Sequence, residues 1–275
     1  ETTHNSRTVE DFKSLTRFFY GYTGEVNMSR KARKTKCNKY RNRKQQGENH
    51  LRVIQGGALE RTRQREVKIV PRNFNQDDLL GYLEDRNINI VFAIGPAGTG
   101  KTLISTLAGI RELKNNNINK MVVTRPAISV DEQHGFLPGT LQEKMAPWTR
   151  PIFDVFEEYY SPEQIEYMVN DNKVEIAPLA YMRGRTFKDA FIIADEMQNA
   201  TDSQMKMLLT RIGDNSKIVV TGDLDQHDRG YESNGLKCFI ERMKNHQSDR
   251  IKLVEFGMSD VERHPVVSEV LGIYS

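Results

Sequence analysis

Eight residues, Gly95-Pro96-Ala97-Gly98-Thr99-Gly100-Lys101-Thr102, stand between an apolar run at 90–94 and a helix-forming stretch that opens Leu103-Ile104-Ser105-Thr106. They spell G-x-x-x-x-G-K-[ST] in the strand–loop–helix context that gives this motif its meaning. Gly95, Gly98 and Gly100 free the backbone to wrap a phosphate chain, and the helix that follows adds its positive end. In such a cradle Lys101 is placed for the β- and γ-phosphates and Thr102 supplies a hydroxyl for Mg²⁺. Pro96, Ala97 and Thr99 complete the loop whose N–H groups face the ligand.

A metal at that hydroxyl needs an acid at the tip of another buried strand. The run 190–194, Ala-Phe-Ile-Ile-Ala, leads into Asp195-Glu196 and provides one. Asp195 is the expected holder of the Mg²⁺ shell, and Glu196 is placed to polarise an attacking water. A third apolar run, at 218–221, exits through Gly222-Asp223-Leu224-Asp225-Gln226, which brings Asp223 and Gln226 to the same sheet edge as candidate sensors of the γ-phosphate.

Further runs at 120–124, 174–177 and 251–256 alternate with helical stretches such as 102–113 and 204–212. That alternation predicts an α/β fold with a mainly parallel sheet covered by helices on both faces. Thr201 followed by Gln204 is a capping-box spacing that marks a helix start. The compact domain is expected over 67–275, with residues 1–66 forming a short amphipathic helix, built on Phe12, Leu15, Phe18 and Phe19, and a basic arm.

The arm is where the charge lies. Residues 30–44 hold nine basic side chains and no acid, while the whole 275-residue chain carries only +3. Positive charge is therefore a local device, suited either to a polyanion or to a solvated tether. No apolar run approaches the roughly 18 residues of a membrane span. Cys37 and Cys238 lack the neighbours of a zinc site or disulfide framework. A soluble, cytoplasmic protein with no membrane partner is expected.

These motifs, together with Thr124-Arg125-Pro126-Ala127, Gly135-Phe136-Leu137-Pro138-Gly139, the 177–186 stretch ending Arg183-Gly184-Arg185-Thr186, Asp195-Glu196-Met197-Gln198-Asn199 and Arg263-His264-Pro265, resemble the PhoH-like ATPases. The resemblance covers about residues 71–275. It implies a single RecA-like core similar to that of superfamily 1 helicases, ATP and Mg²⁺ as ligands, and coupling to RNA or single-stranded DNA through the Gly222-Asp223-x-x-Gln226 element. It also implies that Gln76, upstream of the loop, reads the adenine edge, although a polar residue near the start of a helix around Asp77 is the plainer account. Ala194 and Met197 depart from the family's pattern, and the basic arm is not among the stretches that carry the resemblance.

One such domain supplies one wall of a nucleotide site. A homo-oligomeric ring, by analogy a homohexamer, is expected to bring an arginine from the next protomer. Arg211 is the first candidate, with Arg183, Arg185 and Arg263 behind it. An ATPase with helicase or translocase character is the leading expectation. A nucleotide-switched scaffold and a ribonuclease-associated ATPase without unwinding activity are the alternatives, and no separate acidic cluster points to a nuclease centre.

Overall fold

The computed structural model describes residues 66–126, 141–226 and 234–262, with 266, 267 and 273 beyond them. The N-terminal helix, the basic arm, Gly135 to Gly139 and Arg263-His264-Pro265 lie outside the described residues.

Along the chain come α1 (Phe74–Glu84), β1 (Ile90–Ile94), α2 (Lys101–Lys114), β2 (Lys120–Arg125), α3 (Leu141–Glu157), α4 (Pro162–Asn170) and β3 (Val174–Pro178). Then follow β4 (Ala190–Ala194), α5 (Asp202–Leu209), β5 (Lys217–Gly222), α6 (Gly235–Met243) and β6 (Ile251–Glu255). The six strands form one sheet in the order β3-β2-β4-β5-β1-β6, and every pairing is parallel. The continuous apolar runs of β1 and β4 are buried at all five positions, as strands covered on both faces must be.

Alternate residues of each strand feed two cores. Val91, Ala93, Val123, Ile193 and Val219 face α1 to α4 through Leu79, Ile110, Phe156 and Ile165. Phe92, Val122, Ile192 and Val220 face α5 and α6 through Met205, Leu208, Leu236 and Ile240. The expected α/β fold with helices on both faces is thus present, and the sheet is parallel throughout its described strands.

Two boundaries differ from expectation. Helix α5 ends at Leu209 rather than at 212, because the Thr210 hydroxyl turns back onto the Lys206 and Met207 carbonyls. Arg211 therefore lies past the helix. Strand β6 stops at Glu255, after which the Phe256 carbonyl turns toward Gly95. Among the described residues no helix is long and apolar enough to cross a membrane.

Candidate active site

The topology explains why distant motifs converge. Strand β5 lies between β1 and β4, so the loop after β1 and the acids after β4 stand two strand spacings apart, roughly 10 Å. That is the span a helix starting at Lys101 bridges with its first side chains. Thr102 Oγ1 donates to Asp195 Oδ1 at 3.0 Å, and the Thr221 hydroxyl, from β5 between them, donates to the same oxygen. Asp195 itself is fixed by its N–H, which donates to the Thr124 carbonyl of β2 at 2.9 Å.

The loop is held from within and from outside. Gly95, Gly98 and Gly100 have φ of 138°, 87° and 82°, the left-handed region where glycine is at home. Lys101 Nζ donates to the Gly95 and Pro96 carbonyls at 2.7 Å each and to Thr99 Oγ1 at 3.1 Å. Burial pushes its ammonium below the ordinary lysine range, while the nearby carboxylates of Asp223, Glu196 and Asp195 pull it back up. From outside, the Glu262 N–H donates to the Gly98 carbonyl at 3.0 Å and Gln76 Nε2 to the Thr99 carbonyl at 3.0 Å.

Gln76 is buried, and its Oε1 also accepts from the Arg72 N–H at 2.8 Å. Both ends of its amide are engaged within the chain, in the manner of a brace between α1 and the loop. One N–H of the amide and one lone pair of its oxygen are left beyond these two bonds.

On the acidic side, Glu196 has φ 54° and ψ 41°, a strained conformation for a residue with a Cβ, costing of order 1–3 kcal/mol. Its Oε2 accepts from Gln198 Nε2, and Gln198 Oε1 accepts in turn from the Asp223 N–H at 3.1 Å. Asp223 continues the chain of bonds: its Oδ2 accepts from Gln226 Nε2 at 2.7 Å and its Oδ1 from the Asp225 N–H at 3.1 Å. The residue expected to activate water and the two expected sensors therefore share one network, with Gln198 as the joint. Gln198 and Thr221 had no assigned part in the sequence reading. Gln198 stands in the Asp195-Glu196-Met197-Gln198-Asn199 stretch and Thr221 ends the run at 218–221, two residues from Asp223.

Loop and acids enclose a cavity of about 300 Å³, lined by Gly98, Gly100, Lys101 and Thr102 on one side and Asp195, Glu196, Asp223 and Gln226 on another. Its oxygen donors, a threonine hydroxyl and a carboxylate 3.0 Å apart, suit a hard divalent cation such as Mg²⁺. Among the described residues there is no group of three or more His, Cys, Asp or Glu that could hold a metal ion.

Arg183, Arg185 and Arg211 do not line this cavity, and Arg263 lies outside the described residues. Arg211 stands by the N-terminal edge of the sheet, where its carbonyl accepts from the Phe187 N–H, and its guanidinium donates to the Met207 and Arg185 carbonyls and to Thr210 Oγ1. Arg185 forks onto both carboxylate oxygens of Glu175 and lies over the Phe187 ring. That Arg185 contact is the main reason the Glu175 carboxyl is held down at about 2. Arg183 is exposed and makes no ion pair among the described residues.

A family model described as "PhoH-like protein" matches residues 68–275. A PhoH-like protein of Synechocystis sp. is 39% identical over 223 residues, covering 81% of this chain and 66% of the relative. A PhoH-like protein of Bacillus subtilis is 45% identical over 188 residues, covering 68% and 58%, and Protein PhoH of Escherichia coli K12 is 41% identical over 211 residues, covering 75% and 58%. The chain thus spans about six tenths of the length of these relatives. With its phosphate-type loop, acid pair and parallel sheet in place, the chain belongs to the PhoH-like protein family.

Proposed function

We propose that this chain hydrolyses ATP with Mg²⁺ at the cavity between the 95–102 loop and Asp195-Glu196. The observation that carries the reading is the sharing of Asp195 Oδ1 by the hydroxyls of Thr102 and Thr221, which gathers metal-seeking oxygens beside a lysine-bearing loop. A bound Mg²⁺ supplies charge neutralisation and orientation of phosphate oxygens. Thr102 and Asp195 are the residues to hold it. Lys101 offers its charge to the phosphates. Glu196, aimed by its left-handed backbone and by Gln198, takes the proton of an incoming water. Asp223 and Gln226 report the state of the terminal phosphate through the same network.

The reading extends to RNA or single-stranded DNA as the partner, with helicase or translocase character. Its support is the nine basic residues within 30–44 and the family membership. A homo-oligomeric ring, by analogy a hexamer, is proposed to supply the second wall and an arginine in trans. Arg211 remains the first candidate, although its guanidinium has three acceptors of its own chain to leave before reaching a neighbour. Phosphate release from ATP by the 275-residue chain, with and without single-stranded RNA, tests the proposal. Mg²⁺-dependent release that RNA stimulates is the expected result. Release that RNA leaves unchanged favours a nucleotide-switched scaffold, and no release at all contradicts the proposal.

A further inference from the structure

The cavity beside the loop, of about 300 Å³, gathers Lys101, Thr102, Asp195, Glu196 and Asp223, the groups suited to phosphates and a cation. If the proposed ATP site is right, the nucleobase lies outside it. The acids Asp195 and Asp223 border one flank of the loop. The other flank is bordered by the segments that grip its outer carbonyls, residues 72–76 through Gln76 and residues 257–262 through Glu262.

Those two segments are tied to each other by a buried carboxylate. Asp260 Oδ2 accepts from Asn75 Nδ2 at 2.7 Å and from the Gly257 N–H at 2.8 Å, and its carbonyl accepts from Asn73 Nδ2 at 3.4 Å. Each segment carries one large apolar side chain that the fold leaves in solvent: Phe74 is 91% exposed and Met258 77%. Among the described residues neither the ring nor the thioether is used in packing, and both stand on hydrogen-bonded segments that grip the loop. A ring and a soft sulfur are also what stacks well on a flat heteroaromatic.

We infer that Phe74 and Met258 form the platform for the base of the bound nucleoside triphosphate, with Asp260 holding the two segments at their spacing. This inference rests on the nucleotide reading of the loop and assigns the base to stacking rather than to the Gln76 amide, which is engaged with Arg72 and Thr99. The platform grips the base only, so it contributes to ATP affinity and nothing to the affinity for a bare triphosphate.

The test compares Mg·ATP with Mg·tripolyphosphate by calorimetry on the full 275-residue chain. Replacing both side chains, Phe74→Ser with Met258→Ser, is expected to weaken ATP roughly tenfold, the usual scale for losing one base–aromatic stack, and to leave tripolyphosphate affinity unchanged. Phe74→Trp is expected to restore ATP affinity in the Met258 background and to show indole quenching when ATP binds but not with tripolyphosphate. Equal losses for both ligands would mean that the segments only brace the loop and would overturn the inference. Unchanged ATP affinity would also overturn it, and a simultaneous change in sedimentation would reassign the surface to contact between copies. If the parent chain binds neither ligand, the nucleotide reading itself fails.

Discussion

Thr102 and Asp195, ninety-three positions apart, meet at 3.0 Å, with the threonine hydroxyl donating to the carboxylate. The first turn of α2 and the tip of β4 are thereby joined at the point where a divalent cation has most to gain. Replacing either partner should remove the metal dependence before it removes the loop. Thr102→Ala and Asp195→Asn are expected to lower Mg²⁺-supported turnover by at least about a hundredfold, since the cation supplies several kcal/mol of charge stabilisation. Titrating Mg²⁺ into each variant while following phosphate release checks this, and a variant with the parent's Mg²⁺ response would remove that residue from the metal site.

The loop's first glycine answers to β6. A Cβ on Gly95 would stand 2.3 Å from the Phe256 carbonyl oxygen, and the backbone there has φ 138°. Gly95→Ala should destabilise the domain by about 2 kcal/mol or more, from steric displacement and backbone strain together. A denaturant midpoint equal to the parent's would show that the loop relaxes without cost.

Lys217 gives the fold a predictable alkaline response. Burial pushes its ammonium down to about 8, against the partial pull of Asp85 and Glu112, while Nζ donates to the Tyr82 and Asp85 carbonyls. The folded value is lower than the unfolded one near 10.5, so between about pH 8 and 10.5 the unfolded chain holds a proton that the folded chain has lost. Stability from this group therefore rises with pH across that window and is constant below it. Lys217→Met should make the rise shallower by this group's share, and chemical denaturation of both proteins at several pH values between these limits reads the difference. Parallel pH profiles would contradict the assignment.

A trans arginine predicts rescue between two inactive proteins. Arg211→Ala should bind ATP yet lose turnover by roughly 10³, and Lys101→Ala should be inactive through its own loop. Mixed, they create interfaces that pair an intact loop with an intact arginine and regain part of the activity. Absence of recovery in demonstrably mixed assemblies would remove Arg211 from this role and turn attention to Arg183, whose guanidinium is exposed without an ion pair among the described residues.

What could be read from the sequence followed from how local the signal was. Continuous apolar runs made β1, β4 and β5 visible, because a strand buried on both faces has no polar positions to blur it. Thr201 and Gln204 show the reciprocal capping bonds that their spacing implied. Helix α3 was illegible because it runs through Pro147 and Pro151, residues that ordinarily signal a break. Lys101, Thr102, Asp195, Glu196, Asp223 and Gln226 were nameable from motifs and line one cavity. The joint at Gln198 and the tie at Asp260 were not, since each links a near neighbour, Glu196 or Gly257, to a partner remote in sequence, Asp223 or Asn75, that only the fold brings near. The placement of Arg211 depended on a helix end set by the side chain of Thr210, a contact with no periodicity to betray it.

Turnover by Glu196→Gln tests the central claim most directly. The substitution keeps size and hydrogen-bonding capacity beside Gln198 while removing the base, so ATP should still bind with the parent's affinity. Phosphate release should fall by about 10²–10⁴, the range that a positioned general base supplies. A Glu196→Gln protein that binds ATP and hydrolyses it at the parent rate would contradict the account.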